Sequence, residues 1–253
     1  MKVTVITVAY NSAKTLADAI ESVLRQTYQD IDYWIIDGQS SDNSLDIIRS
    51  YEDKFNGRLH WISEKDTGIY DAMNKGILHS TGDVIGILNS DDYFTTDDVI
   101  EKMVAQFTDD VDAVYGDVHF VKEENHNKCV RYYSGKIFRP WLVKFGFQPP
   151  HPSLYVRRKI FDQYGLYNTA YSLAGDFDMI ARLTWCHQVK MKYIHQDFVT
   201  MRTGGASTAN AKNRMVNARE VYATSKDLGL NKFHYLIYLK FPIKVIESLL
   251  IRS

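Results

Sequence analysis

The chain has 253 residues, 45% of them hydrophobic, and a formal net charge of −1. That composition excludes a disordered chain, and the length suits one large α/β domain or two small ones. The near-neutral charge argues against nucleic acid as a partner, which would require a strongly basic surface. Cys129 and Cys186 have neither disulfide-framework nor metal-ligand spacing and fit a reducing compartment. The apolar run over 3–8 is too short for a signal-peptide core, and no run of about 18 apolar residues is present to span a membrane. A cytoplasmic protein is expected.

Residues 3–8, Val-Thr-Val-Ile-Thr-Val, read as a central strand. A helix is predicted over 13–26, with Leu16, Ala19, Ile20, Val23 and Leu24 on one face and Ser12 as its cap. Residues 33–36 read as the second strand, ending at Asp37, and 43–51 as the next helix. A third strand over 59–63 and a third helix over 69–79 follow. The apolar run from Val84 reads as a fourth strand, which stops at Asn89-Ser90-Asp91-Asp92. Strand and helix alternate, so the expected fold is α/β with a mostly parallel, Rossmann-like central sheet. The second half is less regular. It offers a helix over 97–107, short strands over 113–115 and 118–121, and a segment over 129–133 that pairs with one of them. A proline-rich loop over 148–152, an extended 153–156, helices over 158–164 and 176–185 and a strand over 189–194 complete it.

By strand polarity Tyr10, Asp37, Asp91 and Asp92 end strands on one edge of the sheet, and Asp66 joins them just after the third strand. In open α/β sheets that edge binds ligands. Asp91 and Asp92 repel one another unless a proton or cation lies between them. Carboxylate oxygens suit magnesium or manganese. A strand running into a helix cap is the plain alternative for the pair.

The stretches Val3-Thr4-Val5-Ile6-Thr7-Val8-Ala9-Tyr10-Asn11, Ile35-Ile36-Asp37-Gly38-Gln39-Ser40-Ser41-Asp42, Asp66-Thr67-Gly68-Ile69-Tyr70-Asp71-Ala72-Met73-Asn74-Lys75-Gly76, Leu88-Asn89-Ser90-Asp91-Asp92 and Ala174-Gly175-Asp176-Phe177-Asp178 follow in order. Together they resemble the family 2 glycosyltransferases, inverting enzymes of the GT-A fold, and the third resembles bacterial enzymes of exopolysaccharide, capsule or O-antigen synthesis. The resemblance covers about residues 2–205. It implies a nucleotide-sugar donor, typically a UDP-sugar, and a hydroxyl of a saccharide or lipid-linked saccharide as acceptor. Tyr10 would stack on the base, Asp37 would accept from base or ribose, and Asp66 would meet the base edge. Val8, Ala9, Gly68, Asn74, Lys75, Asn89 and Ser90 would complete the donor site. An Asp71–Lys75 helical ion pair is the plain alternative for Lys75. Asp91, with Asp92 second, would hold a divalent metal, Mn2+ or Mg2+, and Asp176 would be the general base. Three positions depart from the family pattern: Gly38 and Gly175 stand where relatives carry acids, and Asn89 where the metal motif begins with Asp.

His151 and Arg202 are further candidates for acceptor or diphosphate contacts, against a structural histidine and an ion-paired arginine. Trp141, Phe145 and Phe147 are candidates for an acceptor cleft. The expected division is a catalytic domain over 1–210, its nucleotide half 1–93 and its acceptor half 94–210, with a helical extension over 211–253. In that extension Leu236, Leu239, Ile243, Ile246 and Leu250 form a stripe, and residues 231–253 carry a net charge of +3. Such a helix either lies peripherally on the inner face of an anionic membrane or packs on protein, including a homodimer partner. Two other functions compete: a nucleotidyltransferase, disfavoured because residues 9–14 lack glycine, and a non-catalytic nucleotide-sugar or polysaccharide-binding module.

Overall fold

The computed structural model describes residues 1–204 and 210–230, with the backbone alone at 126 and 127. β1 (Val3–Ala9), β2 (Ile31–Asp37), β3 (Leu59–Ser63) and β4 (Val84–Ile87) pair in parallel in the order β3-β2-β1-β4. α1 (Leu16–Leu24), α2 (Ser44–Tyr51) and α3 (Ile69–His79) are the crossovers between them. β1 and β4 are buried at every position, which explains their unbroken apolar runs. The sheet continues through β8 (Tyr155–Arg157), β6 (Ala113–Lys122), β9 (Met191–Arg202) and β5 (Tyr93–Phe94), with β7 (Asn125–Tyr133) beside β6. β8 is antiparallel to both β4 and β6, and β6 runs parallel to β9. The expected α/β fold with a mostly parallel sheet is present, and one sheet runs through both halves of the chain.

Two apolar layers cover the sheet. One joins Ile6, Ile36 and Ile87 to α3, α5 (Arg158–Tyr164) and α6 (Gly175–Ala181). The other joins Val5, Ile35 and Val118 to α1 and α4 (Val99–Val104).

Several boundaries differ from expectation for local reasons. α1 starts at Leu16 because residues 10–13 form the loop at the end of β1. There Ser12 does not cap through its side chain; its carbonyl accepts from Thr15 and Leu16, and its hydroxyl is used elsewhere. The two short strands over 113–121 are one strand. Gly116 lies at its register shift, where a Cβ would come within 2.6 Å of the Gln196 carbonyl and the Phe198 ring. The helix over 176–185 is α6 followed by a π turn, Arg182–Cys186. β9 extends to Arg202, and a 3-10 segment, Pro140–Phe145, lies where no element was predicted. α7 (Ala211–Asp227) packs Val221 into the first apolar layer. The amphipathic stripe over 231–253 and the Gly205 end of the loop after Arg202 lie outside the described residues. Among the described residues no helix is long and apolar enough to cross a membrane.

Candidate active site

The loops after β1 and β2 clasp each other. Asn11 N–H donates to Ser40 Oγ (2.8 Å), and Asn11 Oδ1 accepts from Ser41 N–H (2.8 Å). Asn11 and Gln39 hold φ of 49° and 61°, left-handed values uncommon for residues other than glycine and asparagine. The clasp presents the Tyr10 ring to solvent, 67% exposed. Tyr10, Gly38, Gln39, Lys65 and Asp66 line an open cleft of about 350 Å3. That volume falls in the range of small-molecule sites. Gly38 leaves room there for Asp66, because a Cβ would lie 2.5 Å from Asp66 Oδ2 and 3.4 Å from the Tyr10 ring. The absent acid at position 38 is thus replaced in space by the Asp66 carboxylate. Asp66 Oδ1 also accepts from Gly68 N–H (3.0 Å), and Gly68 starts α3 with φ 143°.

Several expected donor contacts serve the loops instead. Asp37 is fully buried, and its carboxylate accepts from Ser40 N–H (3.0 Å), Ser40 Oγ and Ser63 Oγ (2.7 Å). These bonds tie Asp37 to the loop after β2 and to the end of β3, beside Gly38 of the cleft. Asn74 exchanges both amide groups with the Tyr167 backbone, at 2.9 Å each way, and does not face the cleft as a ligand. Lys75 donates to the Lys65 carbonyl (2.8 Å) and pairs with Glu64 (2.9 Å) and Asp71 (3.7 Å), holding the loop that carries Asp66. Val8 and Ala9 are buried in β1, and the Ala9 carbonyl accepts from Gly38 N–H (2.9 Å).

The loop after β4 is tied to this cleft through Ser12 and Ser90, whose hydroxyls lie 2.8 Å apart. Asp91 is half-buried and its carboxyl is raised above the usual range, chiefly by desolvation, with Arg202 opposing. Asp92 is 1% exposed and accepts from Asn89 Nδ2 (2.9 Å). Burial, then the neighbouring Asp91, pushes its carboxyl well up. Asp92 is thus buried against Asn89, while Asp91 is the more accessible of the two carboxylates. Arg202 is 7% exposed, donates to the Asp91 carbonyl (2.6 Å), pairs with Asp18 and covers the Tyr93 ring at 5.2 Å. It ties the turn to α1 as an ion-paired arginine, the plain alternative to a diphosphate contact.

Among the described residues no three His, Cys, Asp or Glu side chains gather as a metal cage. The turn nevertheless fits a cation. Asn89 Oδ1 is buried and accepts from no donor, and Asp91 is a carboxylate that burial disfavours as a lone charge. One or two protein oxygens with substrate phosphates supplying the rest is a usual Mg2+ arrangement.

Asp176 is the second residue of α6 and half-buried. Gln148 Nε2 donates to its Oδ2 (2.7 Å), and Tyr70 OH donates to its Oδ1 (3.3 Å). Tyr70 lies two residues after Gly68 in α3, so the carboxylate is hydrogen-bonded to the same loop and helix start that carry Asp66. Burial, then Asp176, raises the Tyr70 phenol, keeping it a donor. The Tyr70 ring stacks on Tyr167 at 5.8 Å. Tyr70 also explains Gly175: a Cβ there would lie 2.7 Å from its ring. His151 is 9% exposed, and its Nε2 lies 2.8 Å from Tyr167 OH. Burial lowers its pKa against the opposing pull of Asp176. His151 therefore packs as a buried partner of Tyr167, the structural alternative to an acceptor or diphosphate contact. Tyr70, Gln148 and Tyr167 were not assigned roles from the sequence. Tyr70 follows Asp66-Thr67-Gly68-Ile69 and Gln148 opens the proline-rich loop, but neither position signals a contact with Asp176.

Known proteins resemble this chain in sequence and in fold. A "PGL/p-HBAD biosynthesis glycosyltransferase" of Mycobacterium bovis is 29% identical over 187 residues, 73% of this chain and 70% of that protein. The crystal structure of S. aureus TarS 1-349 matches with a TM-score of 0.65 at 15% identity, over 88% of this chain and 65% of that one. The Pyrobaculum calidifontis mannosyltransferase PcManGT, solved with GDP-Man and Mn2+, matches with a TM-score of 0.67 at 16% identity, over 94% and 68%. These likenesses show the GT-A fold. The family model described as "Glycosyl transferase family 2" matches residues 4–165, which contain β1 to β4, the Tyr10–Asp66 cleft and the Asp91 turn. This chain belongs to glycosyl transferase family 2.

Proposed function

We propose that the protein moves a sugar from a nucleotide-sugar, with UDP as the favoured nucleotide, to a hydroxyl of a saccharide or lipid-linked saccharide in bacterial cell-surface polysaccharide synthesis, with inversion at the sugar carbon. The observation that carries this reading is the bonded path from Asp66 through Gly68 and Tyr70 to Asp176. It ties the loop that lines the cleft to the carboxylate read here as the base, which supports one site for donor and acceptor.

In this reading Tyr10 covers one face of the base and Asp66 accepts from its imide N–H. Asp91, with Asn89 Oδ1, would hold a divalent cation, Mn2+ or Mg2+. Such a cation offsets the charge that develops on the leaving diphosphate. Asp176 accepts the proton of the acceptor hydroxyl. The freed oxygen forms its bond to the anomeric carbon as the bond from that carbon to the diphosphate oxygen breaks on the opposite face. Gln148 and Tyr70 keep both Asp176 oxygens oriented, and a held base needs little reorganisation in the transition state.

The acceptor side supports a lipid-linked saccharide. Residues 134–147 carry Lys136, Arg139 and Lys144 and no acid. Ile137 and Trp141 are 63% and 53% exposed on the same segment, which leads directly to Gln148. Cations beside an exposed tryptophan suit the headgroup layer of an anionic membrane. The enzyme would then work at the inner face of the cell membrane, with residues 1–210 as the catalytic unit and 211–253 as its extension.

The test is a panel of UDP-, GDP- and dTDP-sugars with Mn2+, read by release of nucleoside diphosphate. Asp176→Asn should reduce turnover by about 10²-fold or more while nucleotide affinity holds. The anomeric configuration of the product, read by NMR, should be opposite to that of the donor. Undiminished release by Asp176→Asn, or a retained configuration, would overturn the mechanism.

A further inference from the structure

Gln148 and Tyr70 bond the Asp176 carboxylate, and the segment that leads into it is bonded separately from α7. α6 begins after Ala174, whose methyl side chain cannot cap the helix, and no side-chain cap bond is made by that residue. The donors at this end are met from α7. Glu220 Oε1 accepts from Ser172 N–H (2.9 Å) and Ser172 Oγ (2.7 Å), and Oε2 accepts from Leu173 N–H (2.8 Å) and Ala174 N–H (2.9 Å). One turn earlier on the same helix, Asn217 Nδ2 donates to the Leu173 carbonyl (2.8 Å). Both backbone signs of the segment leading into the base are therefore fixed by a single helix. An acid cannot come from position 175, where the Tyr70 ring fills the space of a Cβ.

We propose that Glu220 is a positioning residue for Asp176, gripping residues 172–174 so that α6 presents the base at a fixed distance from the acceptor hydroxyl. The assignment rests on the reading of Asp176 as general base. Charge-assisted bonds from one carboxylate to four donors are strong and directional. They restrain the chain two residues before Asp176, while Gln148 and Tyr70 restrain the carboxylate itself. With Glu220 removed, the carboxylate keeps its two side-chain partners but loses its fixed backbone origin. Misplacement of a base by about 1 Å costs on the order of 10²-fold in rate. Nucleotide binding is untouched, because Tyr10, Gly38 and Asp66 belong to other loops.

The experiment compares the parent with Glu220→Ala and Glu220→Gln in the full chain, each also in the Asp176→Asn background. Amide hydrogen exchange at 172–174 should lose protection in Glu220→Ala, with β1 and β4 unchanged. Turnover should fall about 10- to 100-fold in kcat, with the donor KM and the affinity for nucleoside diphosphate within about twofold. Glu220→Gln, which keeps an acceptor oxygen, should fall between parent and Glu220→Ala. In the Asp176→Asn background the same change should alter the residual rate by less than about twofold, a coupling that a purely stabilising role would not produce. Unchanged exchange at 172–174, an equal loss in both backgrounds, or a loss of nucleotide affinity in step with melting temperature would each overturn the assignment. Should no donor be turned over by the parent, the proposed function fails separately. Exchange then decides alone: selective loss at 172–174 upholds the grip and unaltered protection overturns it.

Discussion

Gly38→Ala is the sharpest probe of the donor cleft. The glycine is outside the left-handed region, so alanine brings no backbone strain of its own. Its methyl would lie 2.5 Å from Asp66 Oδ2, about 1 Å inside ordinary contact, and 3.4 Å from the Tyr10 ring. The carboxylate is the group free to yield, and yielding takes it from the base edge. A lost charge-assisted hydrogen bond costs about 1.5–3 kcal/mol, or about 10- to 150-fold in Kd at 1.4 kcal/mol per decade. Calorimetric titration with UDP and with GDP reads this directly. Asp66→Asn should weaken binding by a similar factor, and the double variant should be little worse than Asp66→Asn alone, because both act on one contact. Melting temperature should hold in all three. A Gly38→Ala protein that binds nucleotide within about twofold of the parent, or a double variant whose losses add, would refute the base-edge role of Asp66.

Tyr10→Ala should raise the nucleotide Kd by about 1–3 kcal/mol of lost base stacking and leave thermal stability unchanged, since the ring is 67% exposed; fluorescence titration and a melt check both halves. Asn74→Ala removes two 2.9 Å bonds to the Tyr167 backbone and should destabilise the fold by about 2–3 kcal/mol, seen as a lower urea midpoint with nucleotide affinity retained. His151 is held neutral by burial, its folded pKa lying below the unfolded value. The unfolded chain therefore binds the extra proton as pH falls below about 6.5, and stability declines with it. His151→Gln should flatten that slope in urea midpoints taken from neutral to acid pH.

The half of the fold that carries the donor cleft was legible because its signals are local. Apolar runs that stop at polar residues locate β1, β2 and β4, and strand polarity alone brings Tyr10, Asp66 and Asp91 to one edge. Individual roles were less legible, because a carboxylate or amide at a strand end can serve its own loop as well as a ligand. Asp37 does the former, bonding Ser40 and Ser63, while within α3 Asn74 bonds the distant Tyr167 backbone and Lys75 makes the local pair with Asp71 that its spacing allows. Tyr70 reaches Asp176 across 106 positions and Gln148 across 28, contacts no periodicity encodes.

The departures at 38 and 175 are the most instructive, since in the sequence they read as two separate losses of charge. In space they have one cause. The stretch from Asp66 to Tyr70 places its carboxylate where a side chain at 38 would stand, and its ring where one at 175 would stand. Each glycine is the room left for a neighbour, and the two neighbours lie four residues apart on either side of Gly68. In the proposed reading one loop therefore sets both the donor edge and the base, so a change that shifts it should perturb nucleotide affinity and turnover together, whereas Glu220→Ala on α7 should perturb turnover alone.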